Sequence, residues 1–364
     1  MNTPFKLSPL QFILLLMTSI GLKNHVIIIP PLVREAGRDA WIAVFLMYFM
    51  ILLWGILILY IYRTMKGKHI TDWLEKNLGK IPSNFIIVIL TLYLIMIAGV
   101  TLKETIFWTN VSYLIQTPMP VITILFAIPC FLAALTSLRT IVITNFFFLF
   151  FVIIFGFFVA FANTPFKDYS LLLPILEHGM APVYRAMVYQ GSGMIELIVI
   201  LFFQHKFKSR FKYWHFIVIA VILTWLTLGP LVGAIVEFGP VEAASQRFPA
   251  YEEWGLARLG KYVEHVDYLS IYQWLSGAFI RITLILFTIR ILFKKLSTKT
   301  NRWITFVATL MITIFVIIPL DEKMFFNLLI KLFLPLTFWF FLVISLILTS
   351  IAFIERRKTK DVSA

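Results

Sequence analysis

The sequence predicts an all-α polytopic membrane protein, and three observations predict it. Hydrophobic residues fill 60% of the 364 positions, against roughly 45–50% in an ordinary soluble domain. Charged residues fill only 14%, too few to coat a soluble surface around so large an apolar mass. The apolar residues are gathered into ten runs, near 9–32, 41–62, 84–109, 119–138, 141–162, 182–204, 213–237, 267–292, 303–320 and 328–353. A helix needs about 20 such residues to cross a bilayer core. The runs are long and do not alternate, so helices are expected rather than barrel strands.

The first run begins near Leu10 and lacks a small-residue cleavage site, so it reads as a span and not as a removable signal. Its second half is Ser19-Ile20-Gly21-Leu22-Lys23-Asn24-His25, and Pro30-Pro31 closes it. Gly21 permits local unwinding, and Lys23, Asn24 and His25 are costly in hydrocarbon unless they face protein or water. Between the second and third runs, residues 70–80 (ITDWLEKNLGK) place Ile70, Trp73, Leu74 and Leu78 near helical spacing with charges between them. That pattern predicts a short interfacial helix, with a plain solvated loop as the alternative. Lys103 and Glu104 fall near the outer end of the third run, where snorkelling satisfies them. The boundary between the fourth and fifth runs, Ser137–Thr140, is the tightest, and one long hairpin is its rival reading.

The sixth run contains Gly191-Ser192-Gly193 and, shortly after, Glu196. Two glycines around a serine make a poor helix interior. Residues 238–266 form the largest outward loop, with Glu242, Arg247, Glu252, Glu253, Arg258, Lys261 and Glu264, and one or two short helices are expected there. Arg281 lies deep in the eighth run and is expected to face the bundle interior, whereas Lys331 opens the tenth at the interface.

Charge orients the chain. With the N-terminus inside, twenty Lys and Arg residues fall on that side and eight on the other, the asymmetry of a chain with an even number of spans and both ends cytoplasmic. The formal charge of +14 invites a nucleic-acid reading, but the basic residues sit in short gaps between apolar runs, where anionic membrane lipids are the nearer partner; no nucleic acid is expected. Cys130, the one cysteine, excludes an internal disulfide. No phosphate-binding GxxxxGK[ST] loop, HExxH pair or GxSxG elbow occurs, and the six histidines show no metal-ligand spacing. The chain is expected to be no enzyme and to need no cofactor.

The first and sixth spans are five apart. Ten helices built as two inverted repeats, approximately 9–162 and 182–353, within a single transmembrane domain 1–364, would place two discontinuous helices at those positions. Free half-helix ends there suit a small zwitterion: exposed N–H groups for a carboxylate, exposed C=O groups for an ammonium. The candidate ligand-binding residues are Gly21, Leu22, Lys23, Asn24, Gly191, Ser192, Gly193 and Glu196, with Lys23 as partner to Glu196, and Tyr93 lining a cavity. The competing reading makes the glycines close-packing positions between helices.

Several stretches together resemble the GerAB-like spore germination permeases, the B subunits of spore germinant receptors, within the amino acid–polyamine–organocation superfamily. They are Leu7–Val33, Asp72–Lys80, Leu114–Val121, Tyr189–Glu196 and Gly260–Phe287. The resemblance covers nearly the whole chain. It implies a LeuT-like fold and a membrane subunit that senses a nutrient, commonly an L-amino acid, in the inner membrane of the spore. It also implies a receptor A subunit and a lipoprotein C subunit as partners. On the same resemblance, Gly21 to Asn24 and Gly191 to Gly193 are unwound segments around the ligand. A proton- or sodium-coupled amino acid transporter is the alternative function, and a structural membrane partner with an unused pocket is a third.

Overall fold

The computed structural model describes residues 5–258 and 265–361. Gly260, Lys261 and Glu264, named above, lie outside the described residues. The described chain is helical throughout and contains no sheet; an isolated parallel bridge ties Leu7 to Phe207.

Helices α1 (Pro9–Leu22) and α2 (Ile29–Ala36) are joined by a π-helical turn, Lys23–Ile27. Then come α3 (Ala40–Met65), the short α4 (Ile70–Leu78), α5 (Lys80–Ser112), α6 (Met119–Leu135) and α7 (Leu138–Ala162). Helix α8 (Met180–Met194) passes through a 3-10 turn, Ile195–Val199, into α9 (Ile200–Phe203). Helix α10 (Tyr213–Phe238) precedes two short helices, α11 (Pro240–Ser245) and α12 (Pro249–Leu256). The chain ends with α13 (Leu269–Leu292), α14 (Thr298–Ile317), α15 (Glu322–Leu328) and α16 (Leu334–Asp361).

Among the described residues, nine helical segments are long and apolar enough to cross a membrane. The run near 119–138 becomes α6, an apolar helix of 17 residues, about 26 Å long at 1.5 Å per residue and so at the short end of what spans. The chain reverses at Thr136–Ser137, where Ser137 Oγ accepts the Thr140 N–H and caps α7. Gly37, at φ +55°, ends α2 in a conformation that side chains avoid, and the chain turns there into α3.

The bundle is apolar on its outside. Phe146, Phe147, Phe150 and Phe157 on α7, with Leu125 and Leu132 on α6 and Leu310 and Ile314 on α14, stand exposed; lipid tails solvate such a surface and water does not. Burial separates centre from rim: 83% of the apolar window of α13 is buried, against 22% for α7 and for α14. Helix α13 packs against α1, α5, α6 and α7, while α3 packs against α8, α10 and α16. Helix α4 buries Ile70, Thr71, Trp73 and Leu74 and turns its charges outward: Asp72 meets Lys294 at 2.8 Å, and Lys76 meets Glu355 at 2.8 Å.

Candidate functional site

The irregular turn after α1 follows from Pro30 and Pro31. Neither has an N–H for the carbonyls of Val26 and Ile27, so the regular ladder fails there. The chain answers with a wider turn, in which the Ile28 N–H reaches the Lys23 carbonyl at 3.1 Å, and π-turns of this kind re-aim the side chains that they carry. Lys23 and Asn24 both point inward and are buried.

The family resemblance implies unwound backbone at Gly21–Asn24 and Gly191–Gly193. The structure corrects that expectation. Gly21 and Leu22 lie in regular α1, and the irregularity begins at Lys23. Gly191, Ser192 and Gly193 lie in regular α8, and the change of pitch comes later, at Ile195–Val199. Both segments keep hydrogen bonds through the irregular turn. The glycines serve close approach instead. A Cβ on Gly193 would stand 2.0 Å from Asn24 Oδ1, one on Gly191 would stand 2.6 Å from the Phe338 ring, and one on Gly21 would meet Leu226 at 2.8 Å. Small residues let helices approach in this way.

That closeness assembles a charged centre. Lys23 Nζ lies 3.0 Å from Glu196 Oε1 and donates to the Ser192 carbonyl at 2.9 Å. Arg281, from α13, grips the same carboxylate with Nη2 to Oε1 at 2.8 Å and Nη1 to Oε2 at 2.8 Å. Its remaining donors reach Thr101 Oγ1 on α5 at 3.0 Å and the Ser19 carbonyl at 2.8 Å. All three ionic groups are buried. Two cations share one carboxylate, so the centre holds one positive charge without a counter-ion among these three. In a medium of low dielectric constant such an imbalance is costly, and a small anion placed there is drawn to it.

A cavity of about 40 Å³ adjoins the centre, lined among others by Leu16, Ser19, Leu94, Ile97, Glu196 and Arg281. It is too small for an amino acid and suits one or two waters. Tyr93 is buried near this wall, yet its hydroxyl donates to Thr337 Oγ1 at 2.8 Å and its ring stacks on Phe340 at 3.9 Å. Arg281 faces the interior as the sequence predicts, but its share in the Glu196 centre was not legible. The signal was present: Lys23, Glu196 and Arg281 are mid-span ionisable residues, and such residues find one another.

Lys103 and Glu104 do not snorkel; both are buried. Lys103 donates to the Ile318 carbonyl at 2.9 Å, and Glu104 receives Arg247 at 2.6 Å. Arg247, between α11 and α12, also packs over the rings of Phe326 and Phe248 at 4.2 and 4.5 Å. The long side chains turn inward because α15 and the α11–α12 segment cover that end of α5.

Against known proteins, residues 6–325 match the family model described as "Spore germination protein". A protein of Bacillus anthracis, "Spore germination protein XB", is 39% identical over 350 residues, covering 96% of this chain and 98% of that protein.

Proposed function

The chain belongs to the spore germination protein family, and from that premise we propose that the Lys23–Glu196–Arg281 centre is where it reads its nutrient. As a member it is a membrane subunit of a spore germinant receptor, senses a small nutrient and carries out no catalysis. The finer reading is that the nutrient is an amino acid whose carboxylate supplies the missing negative charge. The single observation behind it is the count of two buried cations on one buried carboxylate. The ammonium of the ligand would then meet carbonyls next to the two irregular turns.

The present cavity excludes such a ligand, so binding requires α1, α8 and α13 to move apart. A ligand that stabilises the opened arrangement shifts the population toward it, and that shift is the signal. The reading extends to a LeuT-like pair of five-helix repeats, supported by irregular turns in the first and sixth apolar runs. It also extends to entry from the α11–α12 end, to cytoplasmic termini in the spore inner membrane, and to A and lipoprotein C subunits as the partners that read the movement.

Spores carrying Arg281→Lys test this, with protein abundance followed by immunoblot. Lysine keeps the charge and loses the fork. The loss of one charge-assisted bond, about 1.5–3 kcal/mol, moves the germinant dose response about tenfold or more to higher concentration. Thr101→Val, which removes the acceptor of Arg281 Nε, gives a smaller shift in the same direction. An unchanged dose response in both variants at equal abundance refutes the site. Uptake of radiolabelled amino acid into vesicles separates sensing from transport: accumulation above the equilibrium level assigns the chain to the transporters.

A further inference from the structure

A second cavity, of about 530 Å³, lies in the half of the bundle nearer α11 and α12, apart from the Glu196 centre. Its walls come from α3, α7, α10, α12 and the 3-10 turn Tyr169–Leu172 and are strongly aromatic, with Trp41, Phe45, Tyr169, Trp225 and Trp254. Phe45, Tyr169 and Trp225 stand exposed on the outer surface of the bundle, so the mouth opens sideways, between helices. At the inner wall sits Glu253, only 8% exposed. Its carboxylate lies against the backbone of α10, where a Cβ on Gly233 would stand 2.8 Å from Oε2, and its Oε1 is buried without a hydrogen-bond partner among the described residues.

The charges around it are already matched to one another. Glu237 accepts Asn163 Nδ2 at 2.8 Å and has Lys167 Nζ at 3.7 Å. Asn163 also donates to the Glu253 main-chain carbonyl at 2.7 Å, which ties α12 to this pair. The titratable groups facing Glu253 are thus Glu237 on α10 and Lys167 before α8; His25, across the cavity, gives its Nδ1 hydrogen to the Leu226 carbonyl at 3.0 Å. Lys167 is taken up by Glu237 and by the Ala160 carbonyl. The Glu253 carboxylate has a hydrogen bond from the Ala234 main chain but no counter-ion within ion-pair distance among the described residues, and it borders a cavity walled with aromatic rings.

We propose that this cavity is a binding site for an organic ammonium group with an apolar body, held by the Glu253 carboxylate and by the faces of the surrounding aromatic rings. Aromatic faces attract cations, and a buried carboxylate without a counter-ion is satisfied by one. Burial and the neighbouring Glu237 push the Glu253 carboxyl well above the ordinary carboxylate range. That direction favours the protonated carboxyl, so binding of an ammonium is written as an exchange: the carboxylic acid releases its proton to the solvent as the ammonium forms an ion pair with the carboxylate. The ammonium belongs either to a free amine or to the headgroup of a membrane lipid that enters through the lateral mouth. This site does not depend on the reading given above for Lys23, Glu196 and Arg281.

The test uses the full chain in nanodiscs of phosphatidylglycerol, with benzylammonium as probe and benzyl alcohol as its uncharged counterpart. Calorimetry in two buffers of different ionisation enthalpy counts the protons released. Saturable binding of benzylammonium is expected, with about one proton released per ligand and affinity at least about tenfold above that of benzyl alcohol. Glu253→Gln lowers that affinity at least about tenfold and abolishes the proton release. Addition of phosphatidylethanolamine to the discs distinguishes the sources: competition assigns the headgroup, and its absence assigns a free amine. Equal binding of the alcohol, or binding without proton release, overturns the proposal on the wild-type protein alone. Unaltered binding to a folded Glu253→Gln variant overturns it as well.

Discussion

Glu196 and Arg281 meet as a two-pronged pair, Nη1 on Oε2 and Nη2 on Oε1, each at 2.8 Å. Lys23 closes on Oε1 from the other side at 3.0 Å. The carboxylate is the common counter-ion for cations on two different helical segments, so it holds α1, α8 and α13 together as well as poising the site. Removal of one partner from a buried pair costs about 3–5 kcal/mol, because the survivor is stranded. Glu196→Gln is therefore expected to lower the thermal stability of the purified protein sharply. Adding Lys23→Met, which removes one stranded cation, should restore part of it. If the double variant is as unstable as the sum of the two single changes, the shared-carboxylate account fails.

The approach of α8 to the turn after α1 depends on Gly193. A methyl group there would sit 2.0 Å from Asn24 Oδ1, an oxygen that has no hydrogen-bond partner among the described residues. Gly193→Ala is expected to cost about 1–3 kcal/mol by overpacking. Asn24→Ala on that background frees the space and should recover most of the loss. Thermal unfolding of the two single variants and the double variant decides it; recovery below half the loss counts against the contact.

Pro230 interrupts α10 and leaves the Leu226 carbonyl without the N–H that residue 230 would have given. His25 supplies the missing donor: its Nδ1 lies 3.0 Å from that oxygen, and a carbonyl only accepts, so Nδ1 carries the hydrogen. His25→Phe strands the carbonyl at a cost of about 1–3 kcal/mol. Pro230→Ala returns an N–H to the helix, so in its presence the same His25 substitution should cost much less. Equal costs in both backgrounds would show that the histidine matters for some other reason.

His69 caps α4 through Nδ1, which accepts the Thr71 N–H at 3.3 Å and meets Thr71 Oγ1 at 2.7 Å. An imidazolium has no acceptor to offer. Burial, with the nearby Lys294 second, pushes the His69 imidazole down to about 4. Unfolded chains protonate near 6.5, so between those values the unfolded state binds the extra proton. Stability is accordingly full above about pH 6.5 and falls as the pH drops toward 4. His69→Asn keeps a capping side chain and removes the titration. Its melting temperature should fall less than that of the wild type between pH 7.5 and pH 5. Parallel pH dependence of the two proteins would exclude His69 as the source.

The sequence by itself determined the class of this protein, because apolar runs of spanning length leave a chain no soluble alternative. It also singled out Lys23 and Glu196 as partners, since mid-membrane charges are few and each needs another. What only the tertiary structure decided was how those charges are arranged. Whether a glycine in a helix marks unwound backbone or a tight contact depends on what stands opposite it, and Asn24, Phe338 and Leu226 stand opposite these three. The burial of Lys103 and Glu104 was hidden for the same reason: a long side chain snorkels or turns inward according to what covers its helix end, and the cover comes from Arg247 and Ile318, more than a hundred residues away. Local sequence sets the period and polarity of each helix, but the counter-charges and packing faces that give a residue its role arrive from distant parts of the chain.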